Sequence, residues 1–377
     1  MADALRLPAE RRWADELAAL AAVDADPRPA GWRLSPRAVQ TFILGSGDAP
    51  IAWTDGDGQA HETVIGKKFY GADVLVQRAI VTLASDRGLL LIGEPGTAKS
   101  WLSEHLAAAI SGSSLLTVQG TAGLTEDQIK YGWNYALLLA EGPSEKALVP
   151  GPLYRAMQGG QVMRFEEITR APHEVQDTLL SALSDKVITL PELPGDAGVV
   201  LARPGFNLIA TANTRDRGVN EMSSALKRRF NFETVPPVQA LNEEVRIVRE
   251  QVGRLLDEGG HTATLGDDVL ELLVTTFHEV RQGQTLEGVQ LDRPSQGVMS
   301  TAEAVSVGLN AALFASFFAD GQVTPEHLAL QLGGVVAKDA REDLKVIRAY
   351  FDVAVKPRAQ RAEGAWKAYY AARKLLS

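Results

Sequence analysis

The hydrophobic pattern of this chain changes character once, near residue 238: upstream, short apolar runs alternate with amphipathic stretches, and downstream only helical spacing remains. Between residues 64 and 238 the spacing predicts a helix over 72–85, a strand over 89–92, a helix over 99–110, and strands over 115–119 and 161–165. A helix over 173–183, a strand over 206–211, a helix over 220–227 and a strand over 230–234 complete the series. Such alternation is the signature of a parallel sheet with helices on both faces. Two insertions interrupt it, and both read as hairpins: 131–140 with 146–149 around Glu141-Gly142-Pro143, and 187–190 with 199–202 around Pro194-Gly195-Asp196. Ahead of the series, 10–23 has helical periodicity, Ser35-Pro36 reads as a cap and first-turn proline of a helix ending near Gly45, and 51–53 with 63–65 reads as a hairpin. The Asp55-Gly56-Asp57-Gly58 letters between those strands are similar to a calcium loop, but Ala60 replaces the required glycine and a plain turn is expected. Past residue 238, helices are predicted over 242–257, 267–281, 301–318, 325–336 and 341–355, with Pro357 breaking the pattern before a last helix to 376.

The turn between the strand at 89–92 and the helix at 99–110 reads Gly93-Glu94-Pro95-Gly96-Thr97-Ala98-Lys99-Ser100. Strand, loop and helix in that order make a phosphate cradle. Glycines let successive N–H groups turn inward, and the helix directs its positive end at the anion. Lys99 is placed to reach the β- and γ-phosphates of a nucleoside triphosphate and Ser100 to hold Mg2+. Ala98 stands where G-x-x-x-x-G-K-[ST] has its second glycine, an acceptable exchange if that position needs no positive φ. Ile65 and Gly66, where the core begins, are counted with this loop as nucleotide-binding residues.

A phosphate loop alone says only that nucleotide binds, so the neighbouring strands decide the chemistry. The run Gln161-Val-Met-Arg-Phe-Glu166-Glu167 is a strand ending in two carboxylates. Glu166 can order Mg2+ through its water shell, and Glu167 can orient or deprotonate the attacking water. Arg164 within that strand is expected near an end, or snorkelling to the surface. The apolar strand from Phe206 ends in Asn213, whose amide can bond the γ-phosphate or the lytic water. Arg228 and Arg229 then close a helix and open a strand. Facing their own nucleotide they would be a local clamp; facing outward, they could reach an adjacent subunit's γ-phosphate.

Composition narrows the partners. The 377 residues are 45% hydrophobic and 23% charged, ordinary globular values, with a net charge of −9 that argues against general adhesion to nucleic acid or anionic membrane. The absence of cysteine excludes disulfides, thiolate zinc sites and a cysteine nucleophile. The six histidines show no ligand spacing. No apolar run is expected to reach the roughly 18 residues of a membrane span, the N-terminus lacks a secretion pattern, and a cytoplasmic location without membrane insertion is expected. A basic C-terminal stripe, Lys356, Arg358, Arg361, Lys367, Arg373 and Lys374 beside Trp366, Tyr369 and Tyr370, is the only compositional support for a nucleic-acid motor. It reads first as a packed amphipathic helix with a solvated basic face.

Phosphate loop, acidic strand end, polar strand end and arginine pair, in this order and spacing, resemble the AAA+ ATPases, and residues 64–336 resemble their MoxR branch. The Ala-Lys-Ser ending of the loop, Glu166-Glu167-Ile-Thr-Arg-Ala-Pro172, and the insertion before Pro150-Gly151-Pro152-Leu153 are similar to MoxR proteins. The resemblance implies a P-loop NTPase fold: a three-layer αβα core with a five-stranded parallel sheet, then an all-helical lid. Expected boundaries are 1–62 for an N-terminal helical and hairpin extension, 63–238 for the core, 239–337 for the lid and 338–377 for C-terminal helices. By the same resemblance Lys99 and Ser100 are Walker A, Glu166 and Glu167 Walker B, Asn213 sensor 1 and Arg228 or Arg229 the arginine finger. ATP and Mg2+ are the implied cofactors. The implied partners are further copies of the chain in a hexameric ring, a protein client to be remodelled, and a protein carrying a von Willebrand A domain. One departure concerns the lid: the MoxR Ser-Pro-Arg-Ala, whose arginine is sensor 2, is matched here by Met299-Ser300-Thr301-Ala302-Glu303, without arginine, and Arg293 is the nearest substitute. Thr211 to Asp216 with 225–230 also resembles the restriction GTPase McrB, which keeps GTP open. A nucleotide-dependent scaffold with little hydrolysis remains an alternative to the ATP-driven motor.

Overall fold

The computed structural model describes residues 6–47, 49–213, 220–294, 299–336, 341–361 and 364–376. It divides into two compact units, residues 1–93 with 98–235 and residues 94–97 with 236–377.

The first unit is built on five strands: β1 (Gly88–Gly93), β2 (Thr117–Gln119), β3 (Val162–Glu166), β4 (Asn207–Asn213) and β5 (Phe230–Thr234). All are parallel, in the order β5-β1-β4-β3-β2. Their side chains alternate between two cores, as a sheet covered on both faces requires. Leu89, Leu91, Val162 and Ile209 pack with Leu102, Leu106 and Ile110 of α1 (Lys99–Ser111), while Leu90, Phe165, Leu208 and Ala210 pack with Met157 and Leu179 on the other face. This is the expected three-layer fold.

Residues 6–23 tie down α1. Arg6 and the Ala9 N–H both bond the Glu104 carboxylate, at 2.7 and 3.1 Å, and Trp13 Nε1 donates to His105 Nε2 at 3.1 Å. Burial pushes His105 down to about 3, which keeps its ring neutral and able to accept that bond. The Lys68 ammonium is buried on the Glu16 carboxylate and lies over the rings of Trp13 and Phe42. Ser35 caps the helix Pro36–Leu44 through the Ala38 N–H, and Ile51–Thr54 pairs with Ala60–Thr63, as the sequence predicts.

Several elements differ from expectation, each for a local reason. The helical pattern at 10–23 is two helices, Ala9–Arg12 and Ala14–Val23, parted at Trp13. The first insertion pairs Tyr131–Trp133 with Leu148–Pro150, but its outgoing arm turns into a helix, Tyr135–Glu141. Asn134 caps that helix by accepting from the Ala136 and Leu137 N–H groups, and the following leucines are strong helix formers. The second insertion is the expected hairpin, Val187–Thr189 on Val199–Leu201. The helix predicted over 173–183 is two short ones, His173–Asp177 and Leu179–Ser184, and of the one predicted over 220–227 only Ser224–Lys227 is helical.

The second unit is helical: α2 (Leu241–Glu258), α3 (Asp267–Gln282), α4 (Thr301–Phe318), α5 (Pro325–Val336) and α6 (Arg341–Tyr350), then shorter helices Lys356–Arg361 and Ala365–Ala371. One hydrophobic core runs through it, from Val248 to Leu376. Pro357 does not break the chain into separate helices. A π-helical turn, Phe351–Val355, precedes it, and the wider turn accommodates a ring that would clash with the carbonyl four residues back. α4 has 18 residues and a mean hydropathy of 1.3, enough by length and composition to span a membrane. Within this unit its Ala304, Val307, Ala311 and Ala315 are buried in the shared core, and Glu303 closes a capping box with Ser300 at its N-terminus. The C-terminal stripe is a packed helical segment with a solvated basic face, as expected: Tyr369 is buried and Arg358 pairs with buried Glu279, while Lys356, Arg361, Lys367 and Lys374 are exposed.

Candidate nucleotide site

The carboxyl ends of β1, β3 and β4 lie side by side, and the sequence-predicted polar residues of these strands gather there. Gly93 ends β1 opposite Asn213, the last residue of β4. Gly96 has φ +77° and Thr97 Oγ1 donates to the Glu94 carbonyl at 2.9 Å, closing the Glu94-Pro95-Gly96-Thr97 turn on itself. Ala98 has φ 63° and ψ 22°, so the position taken by glycine in the usual pattern does carry a left-handed backbone. The condition under which alanine would replace that glycine without strain is therefore not met. The residue accepts the strain, about 1–2 kcal/mol for an L-residue. Lys99 opens α1 almost buried, its Nζ donating to the Gly93 carbonyl at 3.1 Å.

Ser100 and Glu166 meet directly. Ser100 Oγ donates to Glu166 Oε2 at 2.6 Å, and Thr211 Oγ1 donates to the same oxygen at 2.8 Å. The other oxygen, Oε1, accepts from Ser103 Oγ at 2.6 Å and Arg164 Nη2 at 2.7 Å. Burial pushes the Glu166 carboxyl upward, but the Arg164 guanidinium and the Ser100, Ser103 and Thr211 hydroxyls outweigh it and hold the group below the ordinary glutamate value. The pair is thus an ionised carboxylate against a hydroxyl, two hard oxygens of the kind Mg2+ takes when substrate phosphates and water complete its shell. Among the described residues there is no cluster of three or more histidine and carboxylate side chains suited to a metal. A Mg2+ site would therefore be of this shared type, and the residues fit it.

Arg164 is neither at a strand end nor at the surface. It is the middle residue of a fully buried strand, 8% exposed, and its guanidinium also bonds Ser103 Oγ and the carbonyls of Ser100 and Ser114. Three residues of this network, Arg164, Ser103 and Thr211, lie outside the predicted set, yet spacing marks them. Arg164 precedes Glu166 by two and Thr211 precedes Asn213 by two, the same-face interval of a strand, and Ser103 follows Ser100 by three, the same-face interval of a helix.

Glu167 has φ 54°, a strained conformation of the kind that clusters at functional sites. Its N–H donates to Thr211 Oγ1 at 2.9 Å, and its Oε2 pairs with Arg170 Nε at 2.8 Å, the side chain being one-third exposed. Gly120 makes room for this turn: a Cβ there would lie 2.2 Å from the Glu167 carbonyl oxygen. Ile65 is buried among Leu91 and Leu102, and the Gly66 carbonyl accepts from Lys68 Nζ at 2.9 Å.

Arg228 and Arg229 are exposed and precede β5, whose first residue pairs with Gly88, the first of β1. They sit at the amino edge of the sheet, roughly 16 Å along the strands from the carboxyl edge where Ser100 and Glu166 meet. That placement sets them apart from the Ser100–Glu166 contact of the same chain. Arg229 Nε donates to Ser184 Oγ. In the second unit, Arg293 bonds the Gln282 carbonyl, and Ser300 is the N-cap of α4. Thr214 to Asp216, part of the McrB resemblance, lie outside the described residues.

Comparison with known proteins decides the family. Residues 88–230 match the AAA domain of the dynein-related subfamily, and residues 242–377 match the YehL-like AAA+ ATPase C-terminal domain. The chain is 50% identical over 371 residues to the uncharacterized protein YehL of Escherichia coli (strain K12), covering 98% of this chain and 97% of that one. This chain belongs to the YehL-like AAA+ ATPases. An uncharacterized protein of Staphylococcus haemolyticus is 30% identical over 145 residues, 38% of this chain and 54% of its own. Among solved structures, NtrX from Brucella abortus in complex with ADP aligns with a TM-score of 0.48 at 13% identity, over 82% of this chain and 64% of that one. The family and the strand order agree with the MoxR-type reading of the fold, a five-stranded parallel sheet followed by a helical C-terminal region.

Proposed function

We propose that this chain binds and hydrolyses ATP and, as a ring of identical subunits, remodels or activates a protein client together with a von Willebrand A partner. One observation carries the hydrolytic part: a single hydroxyl, Thr211 Oγ1, bonds both the Glu166 carboxylate and the Glu167 N–H, while Ser100 bonds that same carboxylate. The predicted metal-ordering residue and the predicted water-activating residue are thereby held in fixed register. Ser100 and Glu166 would hold Mg2+, which supplies charge neutralisation at the phosphates. Lys99, now on the Gly93 carbonyl, neutralises the phosphates it reaches. Glu167, open to solvent, orients or deprotonates the attacking water, and Asn213 beside Gly93 bonds that water or the γ-phosphate. Arg228 or Arg229, remote from this pocket, completes the pocket of the next subunit, so turnover depends on assembly.

The test is Glu167→Gln. ATP binding is expected to persist while turnover falls by about 10²- to 10⁴-fold, the usual contribution of general base catalysis. Unchanged turnover would remove the water-activating role, and the same assay with GTP fixes the nucleotide. A second reading, a nucleotide-dependent scaffold with little hydrolysis, is favoured by the prior engagement of Glu166 with Arg164. Phosphate release from the assembled protein with its partner separates the two.

A further inference from the structure

A strand packed against a helix ordinarily carries an apolar residue at its centre, and β3 carries Arg164. Its guanidinium bonds four groups of the site's own framework: Glu166 Oε1, the Ser100 carbonyl, Ser103 Oγ and the Ser114 carbonyl. The Glu166 carboxylate is thereby split. One oxygen faces the cation and Ser103; the other faces Ser100 and Thr211, the side on which Mg2+ would be held. We infer that Arg164 is the standing counter-ion of Glu166, a positioning residue that sets how much Mg2+ the site needs in order to hold a nucleotide. The inference rests on the reading of Ser100 and Glu166 as the Mg2+-holding pair.

Two physical consequences give it content. A buried carboxylate without a partner must recruit a cation or a proton. With Arg164 present, Glu166 stays ionised and in place whether or not metal is bound, so the pocket keeps its form between nucleotides. The second consequence is a penalty. A charge already neutralised attracts a second cation less, and a unit charge in contact shifts the cation affinity of a carboxylate by about one to three decades, as it does for the proton. Glutamate rather than aspartate suits this arrangement, because the longer side chain lets one carboxylate serve both sets of donors.

The experiment titrates MgCl2 into the full-length chain with a fluorescent ADP analogue and follows thermal unfolding in parallel. In Arg164→Met the Mg2+ concentration for half-maximal nucleotide binding is expected to fall about tenfold or more. The unfolding temperature without Mg2+ should drop, and the rise on adding Mg2+ and ADP should exceed that of the natural chain. Arg164→Lys keeps the charge while giving up most of the fork's bonds, and its half-saturation should stay near the natural value. A folded Arg164→Met with the natural half-saturation overturns the inference, as does Arg164→Lys behaving like Arg164→Met. Should Arg164→Met not fold under any condition, Arg164→Lys decides: a natural half-saturation supports the counter-ion role, and a tenfold fall rejects it. Failure of the underlying metal reading looks different. It would appear as nucleotide binding indifferent to Mg2+ in the natural chain and in Glu166→Gln alike.

Discussion

Each unit of this protein buries a glutamate on an arginine, and the two pairs differ in what else holds the carboxylate. In the first unit, Glu166 has one cation and three hydroxyls. In the second, Glu279 is fully buried and held by both terminal nitrogens of Arg358, the Tyr350 hydroxyl and the Leu286 N–H. Hydroxyls rotate, and each can return to water or a ligand at the small net cost of a neutral hydrogen bond. A two-pronged guanidinium and a backbone N–H cannot. Tyr350 and Arg358 come from far along the sequence and tie α3 to the C-terminal helices, whereas the Glu166 donors stand on α1, β3 and β4 around the carboxyl ends of the strands. The same ion pair is thus a lock in one place and an exchangeable site in the other.

The largest effect that would break this comparison concerns assembly. If the first unit's site is completed by a neighbour's arginine, replacing Arg228 and Arg229 by alanine should lower ATP turnover by about 10³- to 10⁵-fold, the range measured for arginine fingers. Nucleotide affinity of the unassembled chain should be unchanged. Mixing this variant with Glu167→Gln, each inactive alone, should restore turnover in mixed assemblies, since intact pockets form where a natural arginine faces a natural glutamate. Phosphate release at the rates of the separate variants would show that the arginines do not act between subunits.

The lock is the next test. Glu279→Gln leaves Arg358 and Tyr350 around a neutral amide, and breaking a buried pair from one side costs about 3–5 kcal/mol. Chemical denaturation should show that loss in the transition reporting the second unit. A loss below 1 kcal/mol would place Glu279 with surface ion pairs and remove the contrast.

The sequence made the scaffold of both regions legible because its signals are periodic. Alternating apolar runs gave five strands within a residue or two, and the glycine loop, the acidic strand end and Asn213 fell at the strand ends where they were expected. What escaped was long-range or backbone in origin. Nothing near Arg164 in the sequence states that Ser100, Ser103 and Ser114 will surround it, so a charged residue in an apolar strand read as a strand end. The leucines at 137–139 suit a β-arm or a helix equally, and the Asn134 cap decided the outcome. Pro357 read as a break because the π-turn that accommodates it leaves no mark in residue spacing. For Ala98 the sequence left the backbone open, since small size and permitted φ are separate properties of glycine and only the first is shared by alanine.

The left-handed backbone at Ala98 yields a smaller test, on the exchangeable side of the comparison. Four described residues other than glycine have φ in the left-handed region, Ala98, Glu167, Lys186 and Met299, and the first two flank the Ser100–Glu166 contact. Ala98→Gly should relieve the αL strain and stabilise the chain by about 1 kcal/mol, partly offset by the greater freedom of glycine when unfolded. Denaturation midpoints measure it, and a destabilised variant would mean that the position does not require the left-handed backbone.

The smallest effect sharpens the lock itself. Arg358 holds a second carboxylate, Glu287, through Nε at 3.0 Å and Nη2 at 2.6 Å, but that side chain is half-exposed. The Arg358 bonds lower its carboxyl to about 2. A folded value below the unfolded one means that the stabilisation is complete above the ordinary glutamate value, about 4.5, and is lost as pH falls toward 2. Solvent screening of so exposed a pair reduces its worth to a few tenths of a kcal/mol, against the several carried by Glu279 on the same guanidinium. Glu287→Gln should therefore cost little at pH 7 and slightly flatten the fall in stability between pH 4.5 and 2. Added salt at pH 7 should shrink the difference between the variant and the natural chain, because an exposed pair is screened. If the loss at Glu287 instead matched that at Glu279, burial would not be what separates the two carboxylates, and the distinction between a locked and an exchangeable pair would have to rest on donor type alone.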